Sequence, residues 1–183
     1  MHKLASFILW LMGWKLIGTQ PKEKKYVIAV VPHTSNKDFV IGRLVGTKMR
    51  VNIHFLIKKE LFVFPMGFFL KLFKAIPVNR KLPKQMIADV VSRIKRSDKF
   101  VLVVTPEGTR SKVKKWKKGF YYMAKKSGIP ILPAAVDFEK KEVILGELIN
   151  ISDNEKKDFE KLIAFYKSVN PKPKYPEKFT YPE

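Results

Sequence analysis

Short apolar runs alternate with longer amphipathic stretches along most of this chain. The runs at 26–31, 51–57, 75–78, 100–105, 131–136 and 142–146 have the length and β-branched content of buried strands. Helical spacing occupies about 38–49, 60–73, 83–97, 114–127 and 154–168. The punctuation agrees. Asp38 is placed to cap the first of these helices, and Ser152 or Asp153 the last. Gly128 and Pro130 stop the helix ending in Lys125, Lys126 and Ser127. Strands separated by helices predict an α/β fold, a single domain with a mostly parallel central sheet flanked by helices. The charged Glu139, Lys140 and Lys141 between the last two strand-like runs predict a hairpin.

The two ends differ from this middle. Residues 4–17 are almost entirely apolar, carry Trp10 and Trp14, and are flanked by Lys3, Lys15, Lys22, Lys24 and Lys25. The run falls short of the roughly 20 residues that span a bilayer. It reads as an N-terminal apolar helix within 1–20. One placement lays it in a membrane interface with its tryptophans at headgroup level. The other packs it on the core as a buried first helix. No small-x-small cleavage site follows, which argues against a signal peptide. At the other end, residues 171–183 hold four prolines and no apolar periodicity. That predicts a Pro/Lys-rich tail, extended over the surface or disordered, after a main domain at 21–170. The stretch 60–73 is apolar nearly all round, from Leu61, Phe62, Val63 and Phe64 to Phe68, Phe69, Leu72 and Phe73. Lining an apolar ligand groove, filling the core and touching a membrane are all open to it.

Charge changes the picture most. Thirty-seven basic residues face 16 acidic ones, a formal net charge of +21, and only six of the basic residues are arginine. Such a surface attracts polyanions: anionic lipid headgroups, phosphorylated cofactors, an acidic carrier protein or nucleic acid. No aromatic RNA-binding pattern or helix-turn-helix accompanies it, so nucleic acid is not an expected partner. The absence of cysteine removes disulfides, thiolate metal sites and a cysteine nucleophile. With three histidines and no HExxH spacing, no metal site is expected.

Candidate chemistry lies just past two strand-like runs. After Tyr26–Val31 come Pro32, His33, Thr34, Ser35, Asn36, Lys37 and Asp38. A carboxylate five residues beyond the histidine, across a short loop, can hold the imidazole and leave its other nitrogen to take a proton from a hydroxyl. Ser35 is not a nucleophile candidate, because no Gly-x-Ser-x-Gly elbow surrounds it. After Phe100–Thr105 come Pro106, Glu107, Gly108, Thr109 and Arg110. Gly108 permits a turn whose amides can face an anion, and Arg110 presents a planar fork that matches phosphate. Arg80, after the short run 75–78, supplies a further cation. Ligands of open α/β sheets bind at the carboxyl ends of the strands, where all these residues fall.

In order and spacing, the His33–Asp38 block, Arg80, the Pro106–Arg110 block and Ile129–Pro133 resemble the four blocks of the glycerolipid acyltransferase family, typified by lysophosphatidic acid acyltransferases. The resemblance covers residues 26–136. It implies that His33 is the general base and that Asp38 orients it. Arg80 and Arg110 would hold an acceptor phosphate, with Lys59 near it, while Glu107, Gly108 and Thr109 shape a glycerol pocket. It further implies an acyl thioester donor, acyl-CoA or acyl carrier protein, with no cofactor and no covalent acyl-enzyme. The acceptor would be a lysophospholipid, 1-acylglycerol-3-phosphate first and another lysolipid such as an aminoacyl lipid second. The expected place is the cytoplasmic face of a membrane, as a monotopic or peripheral protein on an anionic surface. The chain departs from the family pattern in having Pro32 before His33, and Ala75-Ile-Pro-Val78 before the Arg80 block. A basic binding module without catalysis accounts for the charge but not for the ordered blocks. A hydrolase using the same base lacks a serine elbow and a metal site.

Overall fold

The computed structural model describes residues 1–182. Helix α1 (His2–Leu11) and strand β1 (Lys15–Ile17) precede β2 (Lys25–Val31), α2 (Lys37–Lys48) and β3 (Ile53–Lys58). A 3-10 turn (Lys59–Leu61), α3 (Met66–Leu72), β4 (Ala75–Val78), α4 (Pro83–Arg96) and β5 (Phe100–Val104) follow. The chain continues through α5 (Gly119–Ser127), β6 (Ile131–Asp137), β7 (Glu142–Leu145) and α6 (Glu155–Val169), and a 3-10 turn (Pro176–Lys178) lies in the tail. The seven strands form one sheet in the order β1-β7-β6-β2-β5-β3-β4. Every pair is parallel except the β6–β7 hairpin.

β2 lies in the middle and is buried on both faces, as is β6, which explains why both read as continuous apolar runs. Ile41 and Val45 of α2 and Leu9 of α1 pack on one face. Val90 and Ile94 of α4, Phe120 and Tyr121 of α5, and Leu162 and Tyr166 of α6 pack on the other. The crossover from β3 to β4 runs in the same direction across the sheet as that from β2 to β3, so right-handed connections put α3 beside α2. Arg43 of α2 accordingly lies 5.5 Å from the ring centre of Phe73, just past α3.

Several expectations need correction. The apolar run 4–17 is not one helix: α1 ends at Leu11, and residues 15–17 add an edge strand to β7. Trp14 is buried edge-on against Phe138 rather than exposed, while Trp10 is 72% exposed. The stretch 60–73 is interrupted by Pro65, which cannot donate to a helix interior, so α3 starts only at Met66. It is not core. Phe64 is 93% exposed and Phe68, Phe69 and Leu72 are exposed with it. The helix expected from 114 begins at Gly119, because the Lys117 N–H is taken by the Pro106 carbonyl at 2.8 Å. Asn154 caps α6, accepting from the Lys157 N–H at 3.0 Å. Ser152 instead donates its N–H and hydroxyl to buried Asp158.

The tail runs over the surface and is tied down. The Phe138 N–H donates to the Lys172 carbonyl, the Tyr175 N–H to Thr34 Oγ1, and the Tyr181 hydroxyl to the Tyr166 carbonyl. Phe179 and Tyr181 pack against the core. Glu183 lies outside the described residues.

Candidate active site

The sheet register brings the candidate residues to one edge. Ala29 pairs with Val104, Phe55 with Val103, and Lys58 with Val78. Counting on along each strand puts Val31, Pro106, Lys58 and Val78 at one level. His33, Glu107, Lys59 and Arg80 all follow within two residues of it. Neighbouring strands are about 4.8 Å apart, so β2 and β4, with β5 and β3 between them, are separated by roughly 14 Å. An arginine or lysine side chain can reach much of the way across that distance. Lys59, Arg80, Thr109 and Arg110 are exposed at this edge, and no described carboxylate forms an ion pair with the three cations.

His33 and Asp38 meet as the five-residue spacing implies. Asp38 Oδ2 lies 2.9 Å from His33 Nδ1 and accepts the N–H groups of Thr34 and Ser35, each at 3.0 Å. The loop therefore winds around one carboxylate oxygen. Asp38 stands inside the first turn of α2, after Lys37, rather than at its cap. The Asp38 side chain is 4% exposed and that of His33 18%, so the imidazole keeps one side open. With Nδ1–H donated to Asp38, Nε2 is free to accept a proton.

Glu107, expected to shape a substrate pocket, makes a contact that the sequence did not show. It is 3% exposed, and Oε2 accepts the backbone N–H of His33 at 2.8 Å. One oxygen of its carboxyl thus ties it to the His33–Asp38 loop. Burial pushes the Glu107 pKa up to about 8; the His33 N–H opposes this and the nearby Asp38 charge adds to it. The group is thus mostly neutral at pH 7. Gly108 has φ +66°, a left-handed turn closed by its N–H on the Thr105 carbonyl at 2.9 Å. A Cβ there would come within 2.7 Å of Lys117 Cδ. This turn sends Thr109 and Arg110 outward while Glu107 points in.

A cavity of about 530 Å³ runs between α4 and the edge strand β4, lined by Lys59, Val78, Asn79, Met86, Val90 and Arg93 among others. It reaches the site through Lys59 and Asn79, and His33 does not line it. Sequence reasoning missed two supports of the His33–Asp38 loop. One is the Glu107–His33 bond, and the other is the bond from Tyr175 in the tail to Thr34. The aromatic residues within the proline-rich tail were the available signal for the second.

A histidine–carboxylate pair at the carboxyl edge of a parallel sheet, with a glycine turn and free cations beside it, suits transfer chemistry on an anionic acceptor. The comparison with family models agrees: the Acyltransferase model matches residues 15–137, more than half of the chain, and the chain belongs to that family. Among individual proteins, the 1-acyl-sn-glycerol-3-phosphate acyltransferase of Saccharomyces cerevisiae is 30% identical over 131 residues, 67% of this chain and 42% of that protein. The chain thus spans about two fifths of that relative's length. The crystal structure of the 1-acyl-sn-glycerophosphate (LPA) acyltransferase PlsC from Thermotoga maritima is similar with a TM-score of 0.65. The match covers 95% of this chain and 80% of that one at 17% identity, and establishes a shared fold.

Proposed function

We propose that this chain is an O-acyltransferase that moves a fatty acyl group from an acyl thioester to the free hydroxyl of 1-acylglycerol-3-phosphate, giving phosphatidic acid. The observation that carries this reading is the bonded His33–Asp38 pair, set at one sheet edge with Arg80, Arg110 and Lys59. In the reaction, His33 Nε2 takes the proton of the acceptor hydroxyl while Asp38 stabilises the imidazolium. The hydroxyl oxygen forms a bond to the thioester carbonyl carbon. The tetrahedral oxyanion then collapses, the C–S bond breaks, and the His33 proton passes to the departing sulfur. Arg80, Arg110 and Lys59 hold the acceptor phosphate, and Gly108 and Thr109 shape the space for its glycerol. The donor is acyl-CoA or acyl carrier protein, both anionic and so attracted by the basic surface.

The place of action is an anionic membrane surface. Leu4, Phe7, Trp10 and Leu11 of α1 and Phe64, Phe68, Phe69 and Leu72 around α3 are all exposed, on the sheet face that also carries α2. Large exposed apolar patches bordered by lysine suit an interface with anionic lipid. No helix among the described residues is long and apolar enough to cross a membrane.

The test is acyl transfer to lysophosphatidic acid from labelled acyl-CoA and, separately, acyl carrier protein, read by lipid mass spectrometry. Phosphatidic acid is expected from wild type and not from His33→Ala. Equal product from both proteins, or none from folded wild type with either donor, would refute the assignment.

A further inference from the structure

On two sides of His33, cations have no ion-pair partner among the described residues. On the β5–β3–β4 side stand the cations already assigned to the acceptor. On the β6 side the tail brings up a second group. Phe138, directly after β6, donates its N–H to the Lys172 carbonyl at 2.8 Å, and the Tyr175 N–H donates to Thr34 Oγ1 at 3.3 Å, inside the loop of the base. These bonds set the tail segment around Tyr175 against the His33–Asp38 loop, with Lys174 beside Lys37, the first residue of α2, and Lys178 on the Tyr175 ring. The ammonium groups of Lys178 and Lys174 lie 4.5 and 5.3 Å from the centre of the Tyr175 ring, which gathers both.

The group is electrostatically unfinished. The Lys174 ammonium can donate to the lone pair of a neutral Lys37 amine, and by that bond and its own charge it holds Lys37 below the ordinary lysine range. No described carboxylate forms an ion pair with any of the three lysines. The nearest carboxylates in the chain are Asp38, whose Oδ2 is taken by His33, Thr34 and Ser35, and Glu177, exposed in the tail turn. Cations packed this closely repel unless an anion sits between them. At exposed positions water and salt screen part of this repulsion, and an anion that the reaction brings to this side of His33 is placed to relieve the rest. The acceptor phosphate belongs to the opposite side. What remains is the donor, whose thioester must lie against the hydroxyl that His33 activates. Both donor types carry that thioester on a phosphopantetheine arm ending in a phosphate. Lys37 is four residues from His33, hence within about 14 Å of it along the chain, and a pantetheine arm bridges such a distance.

We propose that Lys37, Lys174 and Lys178, gathered on Tyr175, form the subsite for the phosphate of the acyl donor's phosphopantetheine arm. The assignment rests on the acyltransferase reading above, and a binding measurement tests it apart from turnover. Coenzyme A is titrated by calorimetry into the full chain as wild type, as K37A/K174A/K178A, and as the charge-matched control K126A/K156A/K157A on the surface of α5 and α6. The expected result is an affinity loss of about tenfold or more in the first variant, against less than about threefold in the control. In turnover, the first variant should raise the KM for acyl-CoA by a similar factor and leave the KM for lysophosphatidic acid unchanged. With S-acyl-pantetheine, which lacks the phosphate, it should match wild type. Acyl carrier protein assayed beside acyl-CoA shows which source supplies the arm. Equal coenzyme A affinity in the two variants would overturn the proposal, as would a rise confined to the acceptor KM. A defect that persists with S-acyl-pantetheine would overturn it too. Lysine-dependent coenzyme A binding by a wild type that transfers no acyl group would refute the proposed function and leave the subsite standing.

Discussion

Replacing Glu107 by glutamine separates two roles for this residue. As a ligand for substrate hydroxyls, its charge and exposure would matter. As found, it is 3% exposed, accepts the His33 N–H at 2.8 Å, and has its pKa pushed from 4.5 to about 8 by burial. The sign follows from linkage. Below pH 4.5 both folded and unfolded chains carry a protonated Glu107 and no cost arises. Between 4.5 and 8 the unfolded chain releases this proton and the folded one keeps it, so stability falls as pH rises, by about 1.4 kcal/mol per pH unit. By pH 7 roughly 3 kcal/mol has been lost relative to pH 4.5, and above pH 8 the loss levels off near 5 kcal/mol. Glutamine keeps the oxygen that accepts the His33 N–H and has no proton to lose.

Glu107→Gln should therefore gain stability over wild type steadily from pH 5 to pH 8. The check is urea unfolding of both proteins at each pH unit from 5 to 9, with the difference in unfolding free energy plotted against pH. A flat difference would refute the argument. Activity gives a second decision. Glu107→Gln should retain transferase activity within about tenfold at pH 7, because it mimics the neutral group. Glu107→Ala leaves the His33 N–H without its partner, at a cost of about 1–3 kcal/mol, and lets the base shift. A hundredfold loss in Glu107→Gln with normal folding would restore the role of substrate ligand.

Three further outcomes are expected. Asp38→Asn removes the charge that orients His33, and should lower kcat by about 10³–10⁴-fold with little change in acceptor KM, measured by steady-state kinetics. Gly108→Ala forces a side chain into φ +66° and against Lys117, and should cost about 1–2 kcal/mol in unfolding experiments, with Gly108→Asn costing less. Phe64→Asp, at a position 93% exposed, should leave stability unchanged while weakening binding to anionic vesicles in sedimentation assays by about tenfold or more; unaltered binding at 0.5 M salt would exclude this residue from the membrane contact.

The parts of the fold that could be read from sequence are those governed by local rules. β2, β5 and β6 are buried runs bounded by turn residues, and the β6–β7 hairpin follows from its charged tip. Local rules failed where a distant partner decides the structure. Residues 15–17 continue an apolar run, and only β7, about 130 positions away in the chain, makes them a strand. The helical spacing of 60–73 hides Pro65 among phenylalanines. The His33–Asp38 contact was legible because its two members are five residues apart and share one loop. The Glu107–His33 bond spans 74 positions and the Tyr175–Thr34 bond 141, so neither leaves a periodic trace.

Those two long-range bonds show how the site works as a unit. The loop from His33 to Asp38 is held from inside by the Asp38 carboxylate, from the β5 side by Glu107 and from the β6 side by the tail. The two carboxyl groups have different surroundings and so different tasks. Asp38 Oδ2 receives three N–H groups, one of them from the imidazole. Glu107 Oε2 receives one, in a more apolar setting that favours its neutral form. On the proposed function, an ionised Glu107 beside His33 would repel a phosphate drawn to Arg80 and Arg110. A neutral one holds the loop without opposing the field that those arginines create. On the proposed function, keeping that carboxyl dry and protonated serves acceptor binding as well as the geometry of the base, so its replacement by glutamine should be mild and its removal severe.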